Sequence, residues 1–418
     1  MTSSASPPRD IRRSLLAAQS PAVAALSQRV LAIAESATIG MDRRARELSR
    51  EGESVISLAA GEPDLPTPAV AQEAAIAACR DPRLHHYSPV AGLPELRLAV
   101  AEKTQRDSGQ ATTAANVLIT SGTKQAIDRA FASLLDPGDE VILSSPYWVT
   151  HPEAITVWGG VPVAVPTDQS RGFRVRAEDL EAARTERTKA LLFVSPANPS
   201  GAVYPDEQKR EIARWAVDCG LWVISDDIYE HFDYTGAAPR SLAALMPELA
   251  PRYLSVNGAS KSYAMTGWRV GWLVAPEPVI QAASNLHSHL SGNISNVAQA
   301  AALAAVRSGL ASVQQMRDIF RVRRDRTLEG LHGLPGFECP CPDGAFYLFP
   351  SVEGVLGRTL AGREVQSSLD LAEVILERAR VAVVPGEAFG APGHLRISYA
   401  ASDRDLDQGL ARIGRLLA

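Results

Sequence analysis

From Val117 to Val274 the chain alternates short, β-branched apolar runs with stretches of helical length, and few folds accept that rhythm. Strands are expected at Val117–Thr120 and near Val141–Leu143, Val161–Val165, Ala190–Val194, Leu221–Ile224, Leu254–Val256 and Trp268–Val274. Helices are expected between them near Lys124–Leu135, His151–Trp158, Ala177–Arg187, Pro205–Asp218 and Ser241–Leu249. The pattern predicts an α/β fold with a mostly parallel central sheet. In such sheets ligands sit at the carboxyl ends of the strands. Polar clusters fall at those ends: Ser145-Pro-Tyr-Trp148, Ser195-Pro-Ala-Asn198, Asp226-Asp-Ile-Tyr229 and then Lys261.

At 418 residues the chain is too long for one simple core, so two domains are expected. Long helices near Pro278–Leu290, Val297–Ser308 and Ala311–His332 lead out of the sheet. Beyond about Phe337, strands near Gly344–Phe349, Ala382–Val384 and Leu395–Tyr399 join helices near Ser368–Ala379 and Asp403–Leu417 in a smaller α+β domain. A helical pattern from Val23 to about Gly52 and a short strand from Ser54 to Leu58 precede the large domain. The expected division is a flexible N-terminus over 1–20, a small domain over 21–60 and 315–418, and a large domain over 61–314.

The net charge of −5 comes with no basic block, so nucleic acid is not an expected partner, and no run approaches a membrane span. Cys79, Cys219, Cys339 and Cys341 lack the paired spacing of a zinc site. They read as reduced thiols of a cytoplasmic protein, and no metal is expected.

Three loops carry chemistry that their local sequence leaves open. Lys261, in Asn257-Gly-Ala-Ser-Lys-Ser-Tyr263, is either a solvated loop lysine or an amine held out of water and ready to condense with a carbonyl. Ser121-Gly-Thr123 joins strand to helix, as an ordinary N-cap or as an anion cradle at the positive end of the helix dipole. The Gly- and Pro-rich stretch Ala59–Pro68 is a turn, or a loop that brings the Gly61 N–H to a ligand.

Taken together and in order, the motifs are more telling. They are Ala60-Gly-Glu-Pro-Asp64, Tyr87-Ser-Pro-Val-Ala-Gly-Leu-Pro-Glu-Leu-Arg97, Ser121-Gly-Thr-Lys124, Ser145-Pro-Tyr-Trp148, Ser195-Pro-Ala-Asn-Pro-Ser-Gly201, Ser225-Asp-Asp-Ile-Tyr229, Ser260-Lys261 with Met265-Thr-Gly-Trp-Arg269, and His394-Leu-Arg-Ile-Ser398. From about Ser27 to the C-terminus the chain resembles fold-type I pyridoxal phosphate (PLP) enzymes, and within them the class I aminotransferases of the bacterial aspartate/aromatic/prephenate group. The resemblance implies that Lys261 holds PLP and shuttles a proton during transfer, and that Asp226 faces the pyridine nitrogen. It implies that Asn198 and Tyr229 donate to the ring's 3′ oxygen and that Trp148 stacks on the ring. Gly122, Thr123, Ser260 and Arg269 would hold the phosphate, with Tyr87 reaching it from the neighbouring subunit of a homodimer. Arg396 would grip the substrate α-carboxylate in a two-pronged contact, helped by the Gly61 N–H. The implied reaction moves an amino group between an amino acid and a 2-oxo acid by a ping-pong route.

The chain departs from the family in places. No Arg or Lys lies between Val270 and Val306, so the partner-chain arginine of the best-known aspartate enzymes is absent. Lys124 matches the lysine that the bacterial subgroup uses instead, which implies dicarboxylic substrates such as aspartate, glutamate and 2-oxoglutarate. Gly258 stands where many relatives have a serine on the phosphate, and Ser260 is the candidate to compensate. His287, His289 and Asn293 lie where the family lines the partner's site, and His151 follows Trp148 closely; their roles stay open. The residues equally suit a same-fold PLP enzyme that eliminates, replaces or cyclises on an activated amino acid. A regulator of this fold would need a DNA-binding domain ahead of it, and about twenty residues before the first helix are too few.

Overall fold

Seven strands form the central sheet: β1 (Val117–Thr120), β2 (Glu140–Ser145), β3 (Val161–Pro166), β4 (Thr188–Val194), β5 (Trp222–Asp226), β6 (Tyr253–Gly258) and β7 (Gly271–Val274). They lie in the order β1-β7-β6-β5-β4-β2-β3. The four pairs from β6 to β3 are parallel, and β7 is antiparallel to both β1 and β6. This computed structural model describes Ser27, Leu31, Ile33 and residues 37–418. Residues 1–35 and 36–418 are separate units, and the sheets, the cores and the cavity all belong to the second. The expectation for residues 1–20 lies outside the described residues. The helical pattern begun at Val23 is described as a helix over Ala37–Arg50.

Adjacent residues of each strand face opposite sides, so a sheet covered on both faces needs an unbroken apolar run. Leu118 and Leu273 pack into one core with the helices Thr123–Leu134 and Glu277–Leu290. Their neighbours Val117, Ile119, Trp272 and Val274 enter another, with Ala71, Ala75, Ala298 and Ala301. Those alanines belong to the helices Ala69–Arg80 and Asn296–Arg307. The first of these has no counterpart among the expected elements, because an alanine-rich helix buries only small side chains and its periodicity is faint.

Several elements are shorter than expected, each for a local reason. Arg269 adopts a left-handed φ of 57°, after a 3₁₀ turn over Thr266–Trp268, so β7 begins at Gly271 rather than Trp268. The helix expected at Ser241–Leu249 is one turn, Leu242–Leu245, followed by a 3₁₀ segment that opens at Pro247. The strand expected at Gly344–Phe349 is only β8, Tyr347–Leu348, because Ala345 has φ 58°.

A further core gathers Ile56 and Leu58, then Ile228, Tyr229 and Phe232, and residues from Met316 to Leu417. Here β8 joins β9 (Val384–Pro385) and β10 (Leu395–Ser398) in an antiparallel sheet ordered β9-β10-β8. The strand Ile56–Ser57 pairs in parallel with Val381–Ala382. Residues at or just beyond the carboxyl ends of β1, β2, β4, β5 and β6 line one cavity together with Tyr347 of β8 and Arg396 of β10.

Candidate active site

Lys261 lies in the single helical turn Ala259–Ser262 that follows β6. Its Nζ donates to the Gly61 carbonyl at 2.5 Å. Burial pushes its pKa down to about 8; Glu62 works against the shift, and Arg396 and Arg269 add to it. About a tenth of the amine is therefore uncharged and nucleophilic at neutral pH, against less than about a thousandth for a solvated lysine. The amine opens into a cavity of about 260 Å³ that also receives Thr123, Trp148, Asn198, Asp226 and Arg396.

On one side of this cavity β1 ends and the helix starting at Thr123 begins, with Gly122 as its N-cap at φ 79°. The first N–H groups of a helix have no intrahelical partner, and the dipole makes that end positive. The Thr123 hydroxyl is buried with no hydrogen-bond partner. Arg269 donates to Thr266 O at 3.0 Å and to Ser121 O at 3.2 Å, and its guanidinium covers Gly122 so closely that a Cβ there would overlap it. Ser260 is buried beside them. An orphaned hydroxyl, free N–H groups and a guanidinium fit a phosphate. A Cβ at Gly258 would sit 2.7 Å from Thr123 Oγ1 and 2.9 Å from Val270 O, so no side chain fits at Gly258 here.

Asp226 ends β5 and is buried. Its Oδ1 accepts the Ile228 N–H at 3.3 Å. Its Oδ2 lies 3.1 Å from His151 Nε2, and a carboxylate accepts, so that nitrogen donates. His151 is buried, with Nδ1 unpartnered, and meets Trp148 edge-on with ring centres 5.3 Å apart. The histidine left open by the sequence thus stands behind the aspartate. Asp227 does not line the cavity; it accepts the Ser225 hydroxyl at 2.6 Å, and burial pushes its pKa up to about 7.

Arg396 comes from β10 and is 1% exposed. It donates to Asn198 Oδ1 at 3.1 Å and to Ala59 O at 2.7 Å, and its guanidinium centre lies 4.5 Å from the Tyr347 ring and 5.0 Å from the Phe389 ring. Among the described residues no carboxylate pairs with it, its Nε has no partner, and burial lowers its pKa. An unpaired buried cation is costly and fits an anionic ligand. Because Arg396 holds the Asn198 oxygen, the Asn198 amide group is left to face the cavity as a donor. Tyr229, buried and with its phenol pKa raised by burial, meets the Tyr347 hydroxyl at 2.8 Å. Nothing in the local sequence marks Tyr347, which stands in the apolar run Ala345-Phe-Tyr-Leu-Phe349.

The Lys124 Nζ lies 5.2 Å from the centre of the Trp148 ring. Loss of water there, then Arg269, lower its pKa. Tyr87 is 99% exposed and lines a separate groove with His86, Asn293 and Ile294. His287 is buried against Arg129, and neither it nor the exposed His289 reaches the Lys261 cavity. A further polar cluster, Asp107, Glu230 and His231, is tied to the Lys103 ammonium by ion pairs to both carboxylates.

Residues 53–413 match the family model described as "Aminotransferase class I and II". The aspartate aminotransferase of Streptomyces avermitilis is 55% identical over 402 residues, covering 96% of this chain and 98% of the relative. The aspartate/prephenate aminotransferase of Thermus thermophilus is 44% identical over 397 residues, 94% of this chain and 98% of the relative. Among solved structures, an aspartate aminotransferase from Rhizobium meliloti matches with TM-score 0.90 at 39% identity, covering 94% of this chain and 98% of that one. The Thermus thermophilus aspartate aminotransferase with maleate matches with TM-score 0.88 at 42% identity, covering 94% and 99%.

Proposed function

The chain belongs to the class I and II aminotransferases, PLP-dependent enzymes that move an amino group between an amino acid and a 2-oxo acid, and from that premise we propose that its substrates are dicarboxylic: aspartate or glutamate, with 2-oxo acids such as 2-oxoglutarate. The observation that carries this is the cation left over in the cavity once Lys261 and Arg269 are assigned to the cofactor and Arg396 to one carboxylate. Arg396 suffices for an α-carboxylate, and Lys124, packed on Trp148, adds an ammonium for a second one. The relative solved with maleate, itself a dicarboxylate, supports the reading.

Bound PLP supplies an electron sink for the charge left on the substrate Cα when a proton departs. The residues of the chain do the rest. Lys261 Nζ would be the covalent anchor and, once free, the base that moves the proton between the substrate Cα and the C4′ position of the cofactor. Asp226, backed by His151, keeps a proton on the ring nitrogen. Asn198 and Tyr229 donate to the 3′ oxygen, and Trp148 covers the ring. Gly122, Thr123, Ser260 and Arg269 hold the phosphate. Arg396, with the Gly61 N–H, orients the α-carboxylate.

The proposal extends to a homodimer whose sites are shared through Tyr87, a tyrosine that lies almost wholly in solvent in the single chain. It also divides the chain into a large domain over 61–314 and a small one over 21–60 and 315–418, the small one carrying Arg396 onto the substrate. A cytoplasmic setting is supported by four free cysteines. Among the described residues no helix is long and apolar enough to cross a membrane.

The half-reaction tests the substrate reading. Holoenzyme given aspartate, with no 2-oxo acid, should release oxaloacetate and convert the cofactor absorbance to that of its amine form. Aspartate and glutamate should do so at far lower concentrations than alanine or valine. A preference for monocarboxylic amino acids would overturn the dicarboxylate assignment.

A further inference from the structure

We infer that Tyr347 is a positioning residue: its hydroxyl donates to Tyr229 Oη and so commits the Tyr229 proton to the ring oxygen of PLP. The inference rests on the reading of Tyr229 as a donor to that oxygen.

A phenol has one proton to give and can accept others. The Tyr229 and Tyr347 hydroxyls are 2.8 Å apart, so one donates to the other. Both rings are buried, and among the described residues neither hydroxyl has another hydrogen-bond partner. Tyr347 also cannot turn away. Its ring is held between the Arg396 guanidinium, 4.5 Å from its centre, and Phe346, with ring centres 4.8 Å apart. Its oxygen lies 3.1 Å from where a Cβ on Gly61 would stand. If Tyr229 donated to Tyr347, its own lone pairs would face the cavity and repel an anionic oxygen. When that oxygen arrives, the low-cost arrangement turns both protons the same way: Tyr347 to Tyr229, and Tyr229 to the ligand. The chain reinforces itself, since an oxygen that accepts a hydrogen bond becomes a stronger donor.

Asn198, the other residue read as a donor to that oxygen, is held in the same way. Arg396 donates to Asn198 Oδ1 at 3.1 Å, which leaves the Asn198 amide hydrogens for the cavity. Each of the two donors thus has its accepting atom occupied by a buried group from the C-terminal sheet, Arg396 on β10 and Tyr347 on β8. The register pairs Tyr347 with Ser398 and Leu348 with Ile397, which places the two groups on adjacent strands.

The test titrates the absorbance of bound PLP in the holoenzyme against pH. Donation to the 3′ oxygen lowers the pH at which the lysine-linked cofactor loses its proton. Losing a hydrogen bond to a charged oxygen moves such a pKa by about one to two units. Tyr229→Phe should therefore shift the midpoint upward by that amount. Tyr347→Phe removes only the cooperative share, about 10–30% of that effect, and should shift it upward by roughly 0.1–0.6 unit. The double variant should titrate like Tyr229→Phe alone. Tyr399→Phe serves as control, because it deletes a buried hydroxyl that donates to Ala345 O at 3.1 Å in the same core but outside the cavity; it should leave the midpoint where it was. Melting temperatures of all variants report any damage to packing, which would move stability without moving the titration.

A Tyr347→Phe midpoint equal to wild type, beside a shifted Tyr229→Phe, overturns the inference and leaves the Tyr229 reading standing. Additive shifts in the double variant also overturn it, since Tyr347 would then act without Tyr229. An unshifted Tyr229→Phe overturns both.

Discussion

The amine of Lys261 owes its reactivity to its surroundings more than to its position in the chain. With a pKa of about 8, its capture of PLP by the cofactor-free protein should speed up with pH and level off above a midpoint near 8, as stopped-flow absorbance would show. A midpoint near 10 would mean a solvated lysine. Lys124 makes a separate prediction. Charge-assisted hydrogen bonds contribute about 1.5–3 kcal/mol, so Lys124→Ala should lower kcat/KM for aspartate roughly 10- to 150-fold. The same variant should barely change the slow reaction with alanine, and a uniform loss for both would assign Lys124 to the cofactor instead. At this scale the sequence was legible wherever a residue sits in an ordered motif, as Lys261, Asp226 and Arg396 do. It was silent on Tyr347 and on the partner of His151. Those roles arise from contacts between distant segments, 118 residues apart for Tyr229 and Tyr347 and 75 for His151 and Asp226.

Among the elements, β5 divides two neighbouring acids. Asp226 faces the cavity, while Asp227 is pushed up to about 7 by burial beside Ser225. In the unfolded chain an aspartate titrates near 3.9. Between about 4 and 7 the folded protein therefore binds more protons, and this residue's contribution to stability is lost as pH rises through 7. Asp227→Asn should flatten that part of the melting-temperature profile, and an unchanged profile would place the titration elsewhere. The element scale also shows why some of the fold was readable. Strands β2 and β4 are buried on both faces and read as the apolar runs Val141–Leu143 and Ala190–Val194. The two-residue strands β8 and β9 are too short to show any period, and their place follows only from pairing with β10. Gly258 and Gly271 face each other across β6 and β7, and a Cβ on either would run into the Gly122–Thr123 turn. Gly271→Ala should accordingly displace the backbone of that turn, lowering the melting temperature of the cofactor-free protein and weakening PLP binding in a direct titration; an unchanged affinity would show that the turn does not hold the cofactor.

For the whole molecule, the dimer makes a counting prediction. Tyr87→Phe and Lys261→Ala chains should each be poorly active alone. Mixed one to one and reassembled, half the dimers would be heterodimers, each with one complete site, so about a quarter of wild-type activity should return. No recovery would argue against sharing. The loop over Ala59–Pro68 is the seam of the single chain: Arg396 holds Ala59 O, Lys261 holds Gly61 O, Thr266 holds Glu62 and Arg323 holds Asp64 at 2.7 Å. Arg396, lastly, is a buried cation that no carboxylate among the described residues pairs with. The substrate is then also a part of the protein's core, and thermal stability becomes a gauge of ligand concentration. Succinate, which fits both cations but has no amine to react, should raise the melting temperature in step with its occupancy, by a free energy of about 2.7 kcal/mol at a hundredfold excess over Kd. An Arg396→Met chain should be deaf to succinate at any concentration.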